Sequence, residues 1–228
     1  MKRTFLAAIV VCISLTLTGC GHRDGHRDGG GRASDQIVVP ILSDSVFDGY
    51  IVRDPLTSLF TVTQGMNPSV QSVFAGINPD TNAEYRAFLD FPLTGAGGVP
   101  GNAVIVSAIL DIVINSISPQ PLAGTIPIRI ELVSFQSRTL VETDFDRTLQ
   151  PALVTATITP PISQVDFGKH VSLDVTSMMQ EAQRLRLSNF QVRILEDSGA
   201  VSPGLIEITD STGPNRGVLA PLLQVTYM

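Results

Sequence analysis

The most apolar stretch of the chain beyond its N-terminus covers residues 103–115. From Val104 to Ile114 every second residue is apolar, so these side chains share one face of an extended strand. The other face mixes aliphatic residues with Ser107 and Asp111. One buried face and one partly buried face predict an inner strand of a two-sheet sandwich. The run is shorter than the roughly 20 apolar residues that a membrane span requires, and it contains Asp111.

Shorter strand-like segments, separated by Gly- and Pro-rich loops, recur along the chain. They predict further strands at 36–42, 49–52, 59–63, 72–75, 85–91, 126–133, 153–158, 171–175, 190–195, 205–209 and 222–227. No segment shows the strand–helix–strand alternation of a parallel sheet, so antiparallel connections are expected. Residues 36–228 are therefore predicted to form a single all-β domain, an antiparallel jelly-roll-like β-sandwich with one short helix.

The one short helix is predicted between the predicted strands at 171–175 and 190–195. Ser177 is expected to cap it, with Gln180 reaching back in a capping box. Arg184 and Arg186 lie near its end, where the helix dipole favours cations. Four apolar residues share one face at helical spacing: Val175, Met178, Ala182 and Leu185. We expect the helix to pack over the open end of the sandwich through this face and its two methionines.

The first twenty residues carry the most specific motif of the sequence. Lys2 and Arg3 form a basic start, and residues 5–17 are largely apolar, as in a secretory signal. The segment ends in Leu17, Thr18, Gly19 and Cys20. This end resembles the lipobox of bacterial lipoproteins, where the Cys is diacylated and cleavage falls before it. The resemblance implies a signal peptide at 1–19 and three acyl chains on Cys20, which is more than stable anchoring requires. The alternative is an ordinary signal peptide with an incidental Cys.

Residues 20–35 are predicted to be a flexible tether. They contain a tandem Gly-His-Arg-Asp repeat and a glycine run, which offer nothing to bury. The alternative is that His22 and His26, with Asp24 and Asp28, capture a metal such as zinc or nickel. Gly21 follows the Cys where an Asp would mark retention, so the resemblance to lipoprotein sorting favours the outer membrane of a Gram-negative host. The expected location is therefore exported and membrane-anchored.

The cysteine count argues against a disulfide, and the net charge argues against nucleic acid as a partner. The chain has two Cys, of which Cys12 lies in the predicted signal and Cys20 would carry lipid, so no disulfide is expected. The whole chain has 15 basic and 21 acidic residues. Removing Lys2 and Arg3 with the signal leaves 13 against 21, a formal charge of about −8. Nucleic acid is not an expected partner of such a surface, and anionic headgroups would repel it.

Five short motifs are spread across the body. They are Tyr-Arg-Ala-Phe-Leu-Asp-Phe at 85–91, Val-Ser-Ala-Ile-Leu-Asp-Ile at 106–112, Leu-Asp-Val-Thr-Ser at 173–177, Asp-Gly-Tyr-Ile-Val at 48–52 and Ala-Pro-Leu-Leu-Gln-Val-Thr-Tyr at 220–227. Together they resemble the DNRLRE-type domains and related carbohydrate-binding modules. The resemblance implies a jelly-roll-like β-sandwich of secreted and surface proteins, some of which bind polysaccharides. Relatives carry Trp residues around an acidic pair where this chain has residues 140–146, and this chain has no Trp at all.

The absence of Trp changes which residues are expected to bind a glycan. Sugar sites commonly use aromatic platforms, but the three Tyr residues lie in predicted strands and are expected to pack in the core. Polar groups would then carry the ligand, with a preference for an acidic polysaccharide. The candidate ligand-binding residues are Arg86, Arg129, Arg193 and Lys169. The alternative is that these cations make surface or cross-strand ion pairs.

Motifs for catalysis are missing from the body. It has no Gly-x-Ser-x-Gly elbow, no His-Glu-x-x-His, no phosphate loop and no Cys nucleophile. A Ser-His-Asp arrangement would have to use His170, the only His of the body, and no spacing supports it. The sequence therefore favours a protein that is not an enzyme.

Asp-bearing loops suggest a structural calcium ion, and no other cofactor is expected. Asp44, Asp48 and Asp197 are the candidate metal ligands, because jelly-roll modules often fix such loops with a hard cation. Further acids in or beside loops are Asp54, Asp80, Asp90 and Asp210. None follows a regular Asp-x-Asp-x-Asp spacing, and Asp is also an ordinary turn residue.

Two functional hypotheses remain open. The first is a lipid-anchored, non-catalytic binding module of the cell envelope whose ligand is a polysaccharide or another envelope component. The second is a structural or adhesion lipoprotein that contacts other proteins and binds no glycan.

Overall fold

Antiparallel strands make up most of the regular structure. The computed structural model describes residues 35–65, 71–119, 122, 124–135, 137–197 and 203–228. The strands are β1 (Ile37–Leu42), β2 (Gly49–Arg53), β3 (Phe60–Gln64), β4 (Ser72–Ile77), β5 (Glu84–Pro92), β6 (Ile105–Pro119), β7 (Ile128–Val133), β8 (Val154–Thr157), β9 (His170–Asp174), β10 (Asn189–Glu196), β11 (Gly204–Thr209) and β12 (Leu222–Tyr227). The helices are α1 (Thr176–Arg184) and α2 (Arg216–Leu219), and 3-10 turns cover Glu142–Phe145 and Gln164–Asp166.

The strands form two layers that are joined into one curled sheet. One layer has the order β1-β12-β6-β9, and the other has the order β3-β2-β5-β10-β7-β8. Strands β4 and β11 connect the layers, because β4 pairs with β5 and β11 pairs with the end of β6. The predicted all-β, antiparallel, sandwich-like fold is confirmed. The sequence predicts one short helix, and the structure adds α2 as a single turn.

Strand β6 is an inner strand, as its alternation predicts. It lies between β12 and β9 and continues beside β11. The buried residues of the predicted inward face are Ala108, Leu110, Ile112 and Ile114. Val104 and Val106 are exposed, which contradicts the prediction. A register shift opposite Tyr227 forms a bulge, and this reverses the facing of the residues before it, so that Ile105 is buried instead.

Helix α1 closes one end of the core between the layers. Val175, Met178, Met179 and Ala182 are buried in the main cluster, as expected for a helix packed over the sandwich. The predicted capping box at Ser177 is wrong, because the helix begins at Thr176. The carboxylate of Asp174 accepts a hydrogen bond from the Thr176 N–H at 2.8 Å. Gln180 donates to the carbonyl of Ile105 instead.

A strap of the chain covers the outer face of the second layer. We define the strap as residues 134–135 and 137–150, which follow β7 and include the first 3-10 turn. Leu140 and Phe145 of the strap pack on Ile51 and Phe88, whose side chains point away from the main core. The strap therefore builds a second, smaller apolar cluster on a face that would otherwise be open to solvent.

A buried ion pair lies beneath the strap. The Arg193 guanidinium donates from Nε and Nη2 to Glu131 Oε2 at 2.9 and 2.6 Å, and both residues are fully buried. Arg193 also donates to the strap carbonyls of Asp144 and Gln150 at 2.8 and 2.9 Å. Arg147 of the strap pairs with the other oxygen of Glu131 at 2.8 Å. The pair thus joins β10, β7 and the strap.

Replacing Arg193 by Met is expected to lower the free energy of unfolding by about 3–5 kcal/mol, because Glu131 stays buried with only Arg147 as its partner. The double variant Arg193→Met/Glu131→Leu should recover part of this loss, since it removes the uncompensated charge. Urea unfolding measures both values. Arg129→Met is the control, because its ion pair with Asp197 is partly exposed and should contribute at most about 1 kcal/mol. A wild-type stability for Arg193→Met would contradict this account.

Candidate binding groove

Three of the four predicted ligand-binding cations are engaged inside the protein. Arg193 is the buried partner of Glu131. Arg86 donates to Glu84 and to the carbonyl of Phe145, and its guanidinium lies 3.9 Å from the centre of the Phe145 ring. Burial lowers the pKa of Arg86, although the charge of Glu84 offsets part of this shift. Arg129 pairs with Asp197 and remains partly exposed. The strap and these ion pairs therefore occupy most of the donors of these residues.

Lys169 and His170 lie together at the start of β9, on the other layer. Lys169 is exposed. His170 Nδ1 lies 2.5 Å from Asp111 Oδ2, and the Ser172 hydroxyl donates to Asp111 Oδ1 at 2.7 Å. The serine is thus bonded to the carboxylate and not to the imidazole, which differs from the order of a nucleophilic triad.

The lipobox residues fall outside the described part of the chain. These are Leu17, Thr18, Gly19 and Cys20, and the tether residues His22 and His26 also lie outside it. Lipidation and export therefore stay predictions. Among the described residues, no helix is long and apolar enough to cross a membrane.

The three candidate calcium ligands do not converge. Asp44 and Asp48 lie in the turn between β1 and β2, whereas Asp197 follows the far end of β10 and pairs with Arg129. Within the described residues, no group of three or more His, Cys, Asp or Glu side chains is arranged to hold a metal ion. The calcium site stays a prediction.

Asp48, in the turn before β2, and Asp210, directly after β11, are two buried carboxyl groups whose charges interact. Asp48 is 2% exposed and Asp210 is 6% exposed. Burial raises the pKa of Asp48 well above its usual range, and the charge of Asp210 raises it further. Burial also raises the pKa of Asp210, although Arg216 offsets part of the shift. Asp48 Oδ2 and Asp210 Oδ1 accept no hydrogen bond from a described residue, although Arg216 Nη1 lies 3.5 Å from Asp210 Oδ1.

Arg138 of the strap is connected to Asp48 through Asp90, because the Asp90 N–H donates to Asp48 and the Asp90 carboxylate accepts from Arg138. The Arg138 side chain is partly exposed. Its Nη2 donates to Asp90 at 2.6 Å and to Asp44 at 2.9 Å, and the guanidinium lies 3.5 Å from the centre of the Phe47 ring. Burial alone would lower the pKa of Arg138, but the bonds to Asp90 and Asp44 outweigh it and raise the pKa. Arg138 is therefore charged and fixed in position.

Two adjoining depressions form a groove along the edge of the strap. The strap depression has a volume of about 360 Å³ and is lined by Ser137, Thr139, Thr143 and Gln150, together with Val141 and Asp144. The central depression has a volume of about 370 Å³ and is lined by Arg138, Arg186, Ser188 and Asn189. Ser134 and Phe135 line both depressions, so the two adjoin at these residues. We call these two depressions the groove.

Phe135 forms the ridge between the two depressions. Its ring packs on Phe88 with 5.7 Å between the ring centres, and its N–H donates to Gln191 Oε1 at 2.9 Å. The side chain is half-buried, so part of the ring remains at the surface of the groove. An apolar ring flanked by hydroxyl and amide groups suits the mixed apolar and polar surface of a sugar.

Arg186 occupies a position that normally takes glycine. Helix α1 ends in a Schellman motif, in which the N–H groups of Leu187 and Arg186 donate to the carbonyls of Ala182 and Gln183, each at 2.9 Å. Arg186 therefore has a φ of 56°, in the left-handed region, which costs a residue with a Cβ about 1 kcal/mol or more. Its side chain is exposed and makes no hydrogen bond or ion pair with any described residue. The fold itself gains nothing visible from arginine at this position.

The tyrosines lie partly at the surface. Tyr50 packs on Phe74 and Tyr85 with ring centres 5.2 and 6.1 Å apart, and all three rings are half-buried. Tyr227 is buried in the main core. The expected core packing thus holds fully for Tyr227 and partly for the other two, which form a second aromatic surface away from the groove.

Sequence reasoning did not single out the residues that line the groove. Arg186 carries a detectable signal, because a cation just beyond the end of a predicted helix stands where a C-terminal glycine is expected. Phe135 also carries one, since it is a lone aromatic residue in a polar segment directly after a strand. The sequence matches no known family model, and it matches no curated protein at a significant level. The resemblance to DNRLRE-type domains therefore stays a prediction that depends on the short motifs.

Buried acids predict a pH dependence of stability. Burial raises the pKa of Glu196, at the end of β10, to about 7 from 4.5. Because the folded protein then binds more protons than the unfolded chain, the free energy of unfolding should fall as the pH rises through this window, by an amount on the order of 3 kcal/mol for Glu196. The pair of Asp48 and Asp210 should act in the same direction. Urea unfolding between pH 4.5 and 8 measures the slope.

Matched amide variants separate the two contributions. Glu196→Gln should remove one part of the slope and Asp48→Asn another, because an amide cannot ionise and the Asn amide can donate to Asp210. Asp80→Asn is the control, since Asp80 is exposed. An unchanged slope in both variants would show that these carboxyls ionise normally in the folded protein.

Proposed function

We propose that this protein is a lipid-anchored binding module of the cell envelope that holds an extended acidic polysaccharide along the groove. The observation that carries the proposal is Arg186. A cation that is strained, exposed and unpaired with any described residue is expected to persist where it serves a ligand. Arginine binds carboxylate and sulfate groups through a planar fork of donors, so an acidic group on the ligand is its natural partner.

The shape of the groove supports a chain-like ligand. Two depressions of about 360 and 370 Å³ meet at Phe135, so successive sugar units can lie on both sides of the ring. Hydroxyl and amide side chains line the strap depression, and these groups match the hydrogen-bonding capacity of sugar hydroxyls. Arg138 also lines the central depression, but its charge is already paired with Asp90 and Asp44, so Arg186 is expected to meet the acidic group. We therefore expect this group of the ligand to lie at the Arg186 end of the groove.

The anchoring part of the proposal depends on the N-terminal sequence. Cleavage after Gly19 and acylation of Cys20 would place the described fold 15 or more residues from the membrane surface, with the groove free to meet envelope polysaccharide. Mass spectrometry of the protein purified from membranes tests this step. It should show loss of residues 1–19 and three acyl chains on Cys20, and an unmodified Cys20 would refute the anchor.

Replacing Arg186 by Gly separates ligand binding from stability. We expect the variant to raise the free energy of unfolding by roughly 0.5–1 kcal/mol, because glycine has no Cβ and adopts the left-handed backbone conformation without strain. We also expect it to weaken binding to alginate at least tenfold, since the charged fork is lost. Urea unfolding gives the first value, and affinity electrophoresis in gels that contain alginate gives the second.

Three controls make this test specific to the groove. Arg184→Ala removes a neighbouring cation of α1 that pairs with Glu181, and it should bind as wild type does. Phe135→Ala should weaken binding, whereas Phe74→Ala, in the second aromatic surface, should not. Neutral dextran should retard the wild type less than alginate. If Phe74→Ala alone abolishes binding, the groove is the wrong site. If no polysaccharide retards the protein, the structural lipoprotein with protein partners becomes the better account.

A further inference from the structure

An apolar cavity adjoins the groove beyond Arg186. It lies between the end of α1 and the loop after β5, and has a volume of about 380 Å³. Its apolar walls are Leu93, Val99, Met179 and Leu187. Arg186 and Leu187 line both this cavity and the central depression of the groove, so the two spaces adjoin at these residues.

The surroundings of the cavity define what it can hold. Four apolar side chains offer water few hydrogen bonds, so an apolar group that displaces the water is favoured. Arg186 lines both spaces, so an acidic group on the same ligand can pair with its guanidinium. A volume of about 380 Å³ exceeds what a methyl or acetyl group fills and is in the range of small-ligand sites.

We infer that the cavity takes an acyl substituent carried by the polysaccharide, so that the preferred ligand is an acidic polysaccharide with apolar acyl esters. The inference rests on the proposed function of the groove and names the class of ligand more closely. Sugar units lie along the strap, the acidic group pairs with Arg186, and the acyl chain enters the cavity between α1 and the β5 loop. Each methylene that becomes buried there should strengthen binding roughly threefold to fourfold.

The test uses one polysaccharide with graded esters. Alginate is compared with its acetyl, butanoyl and octanoyl esters at the same low degree of substitution, and each is titrated against the full-length protein by isothermal calorimetry. We expect affinity to rise from alginate to the butanoyl ester by tenfold or more. The rise should level off where the chain outgrows the cavity.

A variant that fills the cavity gives the matched comparison. A Cβ at Gly101 would meet no heavy atom within 4 Å, so Gly101→Phe can block the cavity without a clash at its own backbone. In this variant the esters should bind no more tightly than unmodified alginate. Gly217→Phe is the control, because Gly217 is equally open but lies in α2 and does not line the cavity. It should keep the full gain with acyl length.

The outcomes separate the inference from the function beneath it. If alginate binds but the esters bind no better, or if Gly101→Phe keeps the gain, the acyl site is refuted while the groove stands. If neither alginate nor any ester binds, both the inference and the proposed function are refuted. A gain with acyl length that Gly101→Phe abolishes and Gly217→Phe retains supports the acyl site.

Discussion

The buried ion pair between Arg193 and Glu131 is the constraint on which the outer part of this structure depends. Two charges on the face of a sheet are tolerable without water only when every strong donor and acceptor is engaged. The strap supplies much of this, because the carbonyls of Asp144 and Gln150 accept from Arg193. Arg147 of the strap forms an ion pair with Glu131 Oε1, which accepts no hydrogen bond from a described residue. Phe135, at the start of the strap, packs on Phe88, donates to Gln191 and lies between the two depressions of the groove.

Much of the sandwich could be predicted because its strands alternate. Each of the twelve predicted strand segments overlaps an observed strand, since a period of two is a strong signal where one face is buried. The alternation could not predict the bulge in β6. A single unpaired residue leaves the apolar pattern regular in the sequence, but it changes which of the apolar residues face inward. Alternation also identifies the face that turns away from the core, but it does not say what covers that face. For this reason Arg86 and Arg193 appear in the sequence as available cations, whereas in the structure the strap encloses them.

The candidate site was less predictable, because it depends on local geometry that runs against residue preferences. A Schellman motif favours glycine at the position of Arg186, so sequence rules place the helix end elsewhere or treat the arginine as a dipole partner. The folded structure is needed to show that this residue has a left-handed backbone, pairs with no described residue, and lines both the groove and the apolar cavity. Arg186 lowers the stability of the fold through its left-handed backbone, and its side chain pairs with no described residue. This combination is the reason to connect Arg186 with the proposed ligand.

Hydrogen–deuterium exchange with and without an acidic oligosaccharide tests the central claim most directly, namely that the border of the strap and the end of α1 form one ligand-binding surface. The claim predicts that the ligand slows exchange in the segments 134–143 and 186–191 and leaves the outer face of β1, β12, β6 and β9 unchanged. Protection of that outer face, or of the surface around Tyr50 and Tyr85, with no effect at the strap would contradict it.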